Sequence, residues 1–405
     1  MKIGPLIKYH RTKQKMTQGK LCEGICSITH LSKIENNTRE GNSETIELLL
    51  ERLGVSLQEV EDNERNIRHL LNEFLNHIQY FEKEKMEPAF EQLENFKEFI
   101  VNTDYLYLYE LYKLRYFLSL SDKTKAEEQM KWLQTNKQNF SQHERYLLSY
   151  LYALFLILQG KYNEADIKIQ RIIQNNPVLG AFEGEVYYHL AVVKGYLDQT
   201  NQAILYGKKA LEFYKNQYNF KRIIHALMAL AINYSRGKVY DEALETYGHL
   251  LRSAEMFDNN ELLPQIYHNI GDLHLNMGDY IIAQVYFNKS LSIMTSKTEN
   301  YLLCLFNIAR TEYFLDKTES SIYRFKLLKE EAASLKVSHY RMYATFYLYL
   351  LDGKKEVAMN YLETKLLPYL ANIVELIEAH QLFSSILSDY YKQEGKYDKA
   401  VQYLL

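Results

Sequence analysis

The chain has 405 residues, of which 47% are hydrophobic and 24% charged, and its formal net charge is −3; this composition is ordinary for a soluble, folded protein. No window approaches ~18 uninterrupted apolar residues, and the first residues lack an apolar core with a small-residue cleavage site, so we expect neither a membrane span nor a secretory signal. Three cysteines are too few for a disulfide framework, which favours a cytoplasmic protein.

The net charge hides an asymmetry between the N-terminus and the rest of the chain. Residues 1–39 contain eight Lys or Arg and only two acids, Glu23 and Glu35, which gives +6, so residues 40–405 total −9. A basic end on an acidic body suits an anionic partner for that end alone. A solvated surface is the alternative interpretation.

The first sixty residues predict five short helices. The stretch "IGPLIKYHRTK" is an amphipathic helix, and Thr17 is suited to cap a second helix. Ser27 is suited to cap a third helix that turns Leu31 and Ile34 inward. Ser43 is expected to cap a fourth helix closed by the glycine of "ERLG", and the serine of "VSLQEV" a short fifth.

Five short helices with this spacing resemble the phage-repressor type of helix-turn-helix domain. The residues that carry the resemblance are "MTQGKL", "ITHLSKIENN" and "LLLERLGVSLQEV", although the turn "EGICS" is one residue shorter than the commonest form. In that family the second helix crosses the phosphate backbone of DNA and the third lies in the major groove. The resemblance implies a DNA-binding domain over residues 1–62. Its expected contacts are phosphates for Gln18 and Asn36, base edges for Ser27, Ile28, Thr29 and Lys33, and either for His30.

The rest of the chain predicts one helical unit repeated many times. Only 5 prolines and 16 glycines occur, and apolar residues recur at three- and four-residue steps. A small residue, which two crossing helices need at their closest approach, returns every 37 to 42 positions. The nine markers are Ala89, Ala126, Ala165, Ala203, Ala243, Ala283, Ser321, Ala358 and Ala400. Such helical pairs must stack to bury their apolar faces.

These units resemble the tetratricopeptide repeat with lengthened helices. The copy "YHNIGDLHLNMGDYIIAQVYFNKSL" matches best, with Gly271, Gly278, Ala283 and Phe287 on the motif. The resemblance implies an all-α protein in which the N-terminal domain precedes a right-handed superhelix of about nine degenerate hairpins. We expect this repeat domain over residues 63–405, with a linker helix at about 63–75.

A phage-repressor domain joined to such repeats resembles the Rap, NprR, PlcR and PrgX group of peptide-pheromone regulators, and "GICS…LSKIENN" resembles NprR and PlcR most. The resemblance implies a quorum-sensing transcriptional regulator. In that family a short re-imported peptide binds the concave face of the repeats and reorganises a homodimer or higher oligomer, which changes how paired DNA-binding domains fit an operator.

Three polar residues at one repeat position suit hydrogen bonds to a peptide backbone. Asn269, Asn307 and His189 each lie 14 residues before a marker, and an amide side chain both donates and accepts. The resemblance implies peptide binding by the two asparagines, and Arg310 is suited to hold a carboxylate. The further candidates are Asn233, Asp272, Asn276, Tyr313, Tyr343 and Tyr347. With 36 tyrosines in the chain, repeat packing is the alternative role for the tyrosines.

Two other functions stay open. Some relatives dock a response regulator and present a glutamine that aids loss of its phosphate, and Gln79, Gln92 and Gln129 lie in the corresponding region. A protein-binding scaffold is the other alternative, although the +6 charge of residues 1–39 argues against it. No catalytic signature is visible. We therefore expect no enzyme and no cofactor. Cys22 and Cys26 are not followed by a second pair at finger-like spacing, so we expect no metal site either.

Overall fold

The structure is a computed structural model that describes residues 3–175, 182–256 and 262–403. All regular structure in these ranges is helical, which confirms the all-α class. None of the helices described is both long enough and apolar enough to cross a membrane. The chain forms two compact units, Met1–Leu197 with Glu212–Ile223, and Asp198–Leu211 with Ile224–Leu405.

The N-terminal head forms from four short helices and the start of a long one. Thr17 and Ser27 cap α2 and α3 as predicted, by accepting from the backbone N–H groups of Lys20 and His30. The fourth helix begins at Ser43, but its cap is Asn42 rather than Ser43. The bounds are α1 Ile3–Lys13, α2 Gln18–Cys22, α3 Ile28–Glu35, α4 Ser43–Arg52 and α5 Leu57–Gln79.

The prediction of a short fifth helix is wrong. Ser56 caps α5, which runs without a break from the head into the repeats, so the boundary expected between residues 62 and 63 falls inside this helix. Val60, Ile67, Leu70, Leu71, Phe74 and Ile78 give α5 one continuous buried stripe. That stripe explains why the helix does not stop at "LQEV".

In the described part of the chain nine helical pairs follow in order, the first being α5 with α6. A short α7 and one-turn helices lie in the connections, and a π-turn at Leu362–Leu366 extends α21. The bounds are α6 Lys83–Asn95, α7 Lys97–Ile100, α8 Leu106–Ser119, α9 Lys123–Asn136, α10 Gln142–Leu158, α11 Tyr162–Asn175, α12 Glu183–Tyr196, α13 Thr200–Asn216, α14 Phe220–Arg236, α15 Tyr240–Met256, α16 Leu263–Met277, α17 Tyr280–Ile293, α18 Glu299–Phe314, α19 Thr318–Ser334, α20 Ser338–Leu351, α21 Lys355–Tyr361, α22 Leu367–Ala371, α23 Ile377–Gln393 and α24 Tyr397–Val401.

One residue in the left-handed region marks the turn inside every pair. It stands two positions before the second helix in all nine, at φ between 56° and 85°. Glycine occupies four of these positions, where it adopts the conformation without steric cost. The nine residues are Phe81, Ser121, Gly160, Asp198, Lys238, Gly278, Asp316, Gly353 and Gly395.

The marker residues are buried as the crossing of two helices requires. Eight of the nine are no more than 2% exposed and stand fourth in the second helix of their pair. Ala89 is the exception, because it stands seventh in α6 and is only half-buried. Met86 takes the fourth position and is 2% exposed, so a flexible thioether fills the space there. The marker of the first pair is therefore Met86.

Candidate functional sites

The outer face of α3 is the candidate DNA-binding surface. Leu31 and Ile34 are buried and hold the helix in the head, as predicted. The residues expected to contact DNA lie on the other side. Ser27, Ile28, Thr29, Lys33 and Asn36 are exposed and His30 is half-buried. Ile28 is 55% exposed, which leaves an apolar side chain available for a thymine methyl group.

Glu35 holds the head together from the inner side of α3. The Arg11 guanidinium donates to its carboxylate at 2.6 and 3.0 Å, and Gln18 Nε2 donates at 2.7 Å. Glu35 is only 2% exposed. Arg11 is therefore neutralised internally, so not all of the N-terminal basic charge faces a partner. One N–H of Gln18 is engaged here, which leaves its second N–H for the predicted phosphate contact.

Two further contacts fix the position of α3. A Cβ at Gly4 would lie 1.9 Å from the carbonyl oxygen of Ile34, so only glycine permits this approach of α1 to α3. Arg52 donates to the carbonyl oxygens of Leu21 and Glu23 at the turn between α2 and α3. The sequence pattern gave no sign of these roles for Gly4 and Arg52.

A polar surface in the second unit, here named the amide wall, consists of His268, Asn269, Asp272, Asn307 and Arg310 on α16 and α18. Asn307 Nδ2 donates to His268 Nε2 at 3.1 Å, and Arg310 Nη1 donates to Asn307 Oδ1 at 3.4 Å. Burial lowers the pKa of His268, with the Asp272 carboxylate opposing, which favours the neutral ring that accepts from Asn307. Sequence reasoning missed His268, one position before Asn269.

The amide wall keeps unused hydrogen-bonding capacity. Arg310 Nε is buried without a hydrogen-bond partner, while its guanidinium lies over the rings of Phe306 and Phe314 at 5.4 and 5.9 Å. Asn269 donates to the sulfur of Met228 at 3.2 Å, which is a weak acceptor. Buried polar groups usually have partners. Arg310 Nε is therefore a buried donor that the described contacts of the amide wall leave unused.

The remaining predicted peptide contacts fall into three different environments. Asn276 is exposed and donates to Asp272 at 3.3 Å, and Tyr313 is half-buried beside Tyr347. Asn233 is 4% exposed and donates to the carbonyl of Ala229 within its own helix, which leaves Oδ1 unpaired. His189 belongs to the first unit, separately from the others.

Tyr343 and Tyr347 require a correction. They are 3% and 2% exposed and belong to an aromatic core with Phe306, Phe325 and Phe383. The Tyr347 ring stacks on Phe325 at 4.8 Å between centroids. Packing, the alternative role for the tyrosines, therefore accounts for both side chains, although the Tyr343 hydroxyl has no partner.

A buried ionic group in the first unit, here named the Glu185 cluster, contains Glu185, Arg115, Arg222, Tyr150 and His189. Arg115 Nη2 donates to both carboxylate oxygens of Glu185 at 2.6 and 2.7 Å, and Arg222 Nη2 donates at 3.4 Å. Tyr150 lies 3.3 Å from the same carboxylate, and its hydroxyl is 3.0 Å from His189 Nδ1. His189 is thus already bound inside the protein.

The charges of the Glu185 cluster determine its protonation. Burial opposes ionisation of Glu185, but the two guanidinium groups outweigh it and hold the pKa of the carboxyl below its ordinary value. Burial lowers the pKa of His189 to about 4. No spacing in the chain predicted this cluster, since isolated charged residues on a helix usually indicate a solvated face. Among the side chains described, no three His, Cys, Asp or Glu group as a metal ion would require.

Comparison with known proteins matches both parts of the chain. Residues 7–60 match the helix-turn-helix family model, and residues 222–296 match the tetratricopeptide repeat model. The transcriptional activator NprA of Geobacillus stearothermophilus is 25% identical over 400 residues, which cover 95% of this chain and 97% of NprA. The regulatory protein RapD of Bacillus subtilis is 23% identical over 313 residues, covering 75% of this chain and 87% of RapD.

A solved structure shares the fold. The structure of NprR in complex with its cognate peptide NprX superposes with a TM-score of 0.67 at 21% identity, covering 84% of this chain and 96% of that one. The predicted architecture, a helix-turn-helix domain followed by tetratricopeptide-like repeats, is confirmed.

Proposed function

Because the chain belongs to the Rap, NprR, PlcR and PrgX family of peptide-responsive regulators, we propose that it is a quorum-sensing transcriptional regulator. The observation that carries the proposal is similarity along nearly the whole length of a transcriptional activator, combined with an exposed recognition surface on α3. In this proposal residues 1–62 bind operator DNA and residues 63–405 bind a peptide, in the cytoplasm.

The DNA contacts follow from the exposed face of α3. Ser27, Thr29 and Lys33 present hydroxyl and ammonium groups for base edges, and Ile28 presents an apolar surface. Gln18 and Asn36 supply N–H groups to phosphates at either side. One N–H of Gln18 already donates to Glu35 and one N–H of Asn36 to the carbonyl of Ser32, so each has a second N–H for a phosphate. A single head makes few such contacts, so useful specificity requires a homodimer or higher oligomer that spaces two heads by ~34–36 Å or a multiple.

The peptide contacts follow from the amide wall. Asn269 and Asn307 suit a peptide backbone, and Arg310 suits a carboxylate of the peptide. Asp272 of the wall also takes part, Asn276 and Tyr313 extend this surface, and Asn233 contributes its unpaired oxygen. We do not include His189, Tyr343 and Tyr347 among the proposed peptide contacts. His189 is bonded within the Glu185 cluster, and the two tyrosines belong to the aromatic core.

The test uses the full-length protein and two ligands. Binding sites are selected from a random DNA pool, and the peptides tried are synthetic heptapeptides from short exported reading frames near the gene. We expect operator affinity to fall steeply with salt, to fall on Lys33→Ala, and to change when one heptapeptide is added. An absence of selected sites with and without peptide would contradict the proposal.

A second candidate function, docking of a response regulator, is favoured by the similarity to RapD over 313 residues. The structure distinguishes the three glutamines considered for it. Gln129 is 9% exposed and donates to Glu110 at 2.7 Å, and Gln79 is half-buried, whereas Gln92 is exposed on α6. If this function is present, phosphate loss from a phosphorylated response regulator should accelerate with the protein and slow on Gln92→Ala.

A further inference from the structure

A continuous helix joins the DNA-binding head to the first helical pair. Helix α5 is continuous from the head to Gln79. Helix α1 also contacts α7, because the Tyr9 hydroxyl donates to Glu98 at 3.2 Å and the Tyr9 and His10 rings meet Phe99 edge-on. The direction in which α3 points therefore depends on how the C-terminal end of α5 is held.

Arg222, which lies 143 residues after Gln79, holds that end. Its Nε donates to the carbonyl oxygen of Gln79 at 2.9 Å and its Nη2 to that of Ile78 at 3.4 Å. Its guanidinium lies 5.2 Å from the centroid of the Phe81 ring. The last carbonyls of a helix lack intrahelical partners and carry partial negative charge, so a cation there is favourable. Arg222 is 6% exposed, so water does not replace these bonds easily.

The same guanidinium is also bound by the Glu185 cluster. Nη2 lies 3.4 Å from Glu185 Oε1, the same distance as from the Ile78 carbonyl, so one nitrogen is shared between the two acceptors. Arg115 competes for Glu185 with two shorter bonds. The division of Arg222 between the carboxylate and the end of α5 is therefore a balance that a small displacement can shift.

Arg222 lies in the first turn of α14, and the same helix carries Met228 and Asn233. Met228 accepts from Asn269 of the amide wall, and Asn233 has an unpaired oxygen. A helix transmits a displacement along its axis because its backbone hydrogen bonds resist deformation. A ligand that engages Asn269 or Asn233 thus acts on the helix whose first turn carries Arg222.

We propose that Arg222 is a positioning residue for the DNA-binding head, which it controls by holding the C-terminal end of α5 in competition with Glu185. The inference rests on the proposed function and specifies its regulation, since occupancy of the amide wall changes the direction of the head through α14. It predicts that the coupling between peptide and DNA, rather than either affinity alone, depends on this guanidinium.

The first experiment measures the hold on α5 without DNA or peptide. Hydrogen exchange is followed at the amides of Tyr80, Phe81 and Glu82, which the last turn of α5 protects. We expect Arg222→Gln to accelerate exchange there by about 10-fold or more, because the freed carbonyls let the turn open. Arg236→Gln, at the exposed C-terminal end of the same helix, is the matched control and should leave these amides unchanged. Unchanged exchange in Arg222→Gln overturns the proposal.

The second experiment measures coupling as the ratio of operator Kd without and with whichever of the tested heptapeptides changes operator binding by the wild-type protein. We expect the ratio to move towards 1 in Arg222→Gln and to stay at the wild-type value in Arg236→Gln. Arg222→Lys keeps the charge but cannot reach both carbonyls, so it should give an intermediate ratio. This variant replaces Arg222→Gln in the experiment if Arg222→Gln fails to fold. Faster exchange with an unchanged ratio overturns the positioning role. If the wild-type protein selects no DNA sites, the proposed function is wrong. The hydrogen-exchange result would still decide whether Arg222 holds the C-terminal end of α5.

Discussion

The two units place polar groups inside their repeats in opposite ways. In the first unit, the buried guanidinium groups of Arg115 and Arg222 are ion-paired with Glu185, and Arg115 Nη1 has no hydrogen-bond partner. In the second unit, Arg310 of the amide wall donates to the neutral amide of Asn307 while its Nε has no partner, and Asn269 donates to a sulfur atom. The comparison indicates that the Glu185 cluster is held mainly by charge pairing, whereas the amide wall is held by hydrogen bonds to neutral groups.

The difference has an energetic basis. Buried charges are tolerated when each has a partner, and removing one partner leaves an uncompensated charge. Neutral amides are less costly to leave partly unpaired. The hydrogen bonds between neutral groups in the amide wall are therefore expected to cost less to rearrange than the ion pairs of the Glu185 cluster.

The largest expected effect comes from breaking the Glu185 cluster. Glu185→Gln leaves two buried guanidinium groups without a counter-charge, so we expect the free energy of unfolding to fall by about 3–5 kcal/mol. Urea unfolding of the full chain measures this. The control is Glu378→Gln, which breaks an exposed pair with Arg236 and should cost no more than about 1 kcal/mol. Equal losses would mean that the Glu185 cluster is not a closed unit.

The next effect is the pH dependence of the same unit. The ordinary pKa of His189, 6.5, falls to about 4 through burial. Between about pH 6.5 and pH 4, His189 is protonated in the unfolded chain but not in the folded protein. The free energy of unfolding therefore decreases as the pH falls through this window. His189→Gln should flatten the decline of the urea midpoint, whereas the same change at exposed His143 should not. A decline that persists in His189→Gln would assign it to other groups.

A smaller effect is expected at the amide wall. Asn307→Ala removes the amide from the proposed peptide contacts, and we expect the peptide Kd to rise about 10-fold, which corresponds to ~1.4 kcal/mol. Isothermal titration with the active heptapeptide measures it. Asn360→Ala, at an exposed asparagine of α21, is the control. If the two variants bind equally, Asn307 is only a partner of His268.

The smallest effect separates packing from binding. Tyr343→Phe removes a buried hydroxyl that has no partner, so we expect stability to stay within about 1 kcal/mol of the wild type, or to rise. Peptide affinity should also be unchanged, because the side chain belongs to the aromatic core. A loss of affinity in calorimetry would return Tyr343 to the peptide site.

The sequence by itself determined the local features of this protein. Thr17 and Ser27 cap their helices because a side-chain oxygen satisfies nearby N–H groups, a relation that depends on a few adjacent residues. The repeat was visible because two crossing helices need a small residue, as Ala283 shows. Even so, Met86 took the place of Ala89 in the first pair, since side-chain flexibility can replace small size.

Only the tertiary structure decided which polar side chains are hydrogen-bonded or ion-paired inside the protein. Glu185, Arg115 and Arg222 are up to 107 residues apart, and no spacing in the chain indicates that they meet. His189 and Asn307 hold the same position in their repeats, yet one is bound within an ionic cluster and the other belongs to the amide wall. The sequence gives the periodicity of a helix, but the partners of each side chain depend on residues that folding brings together from distant repeats.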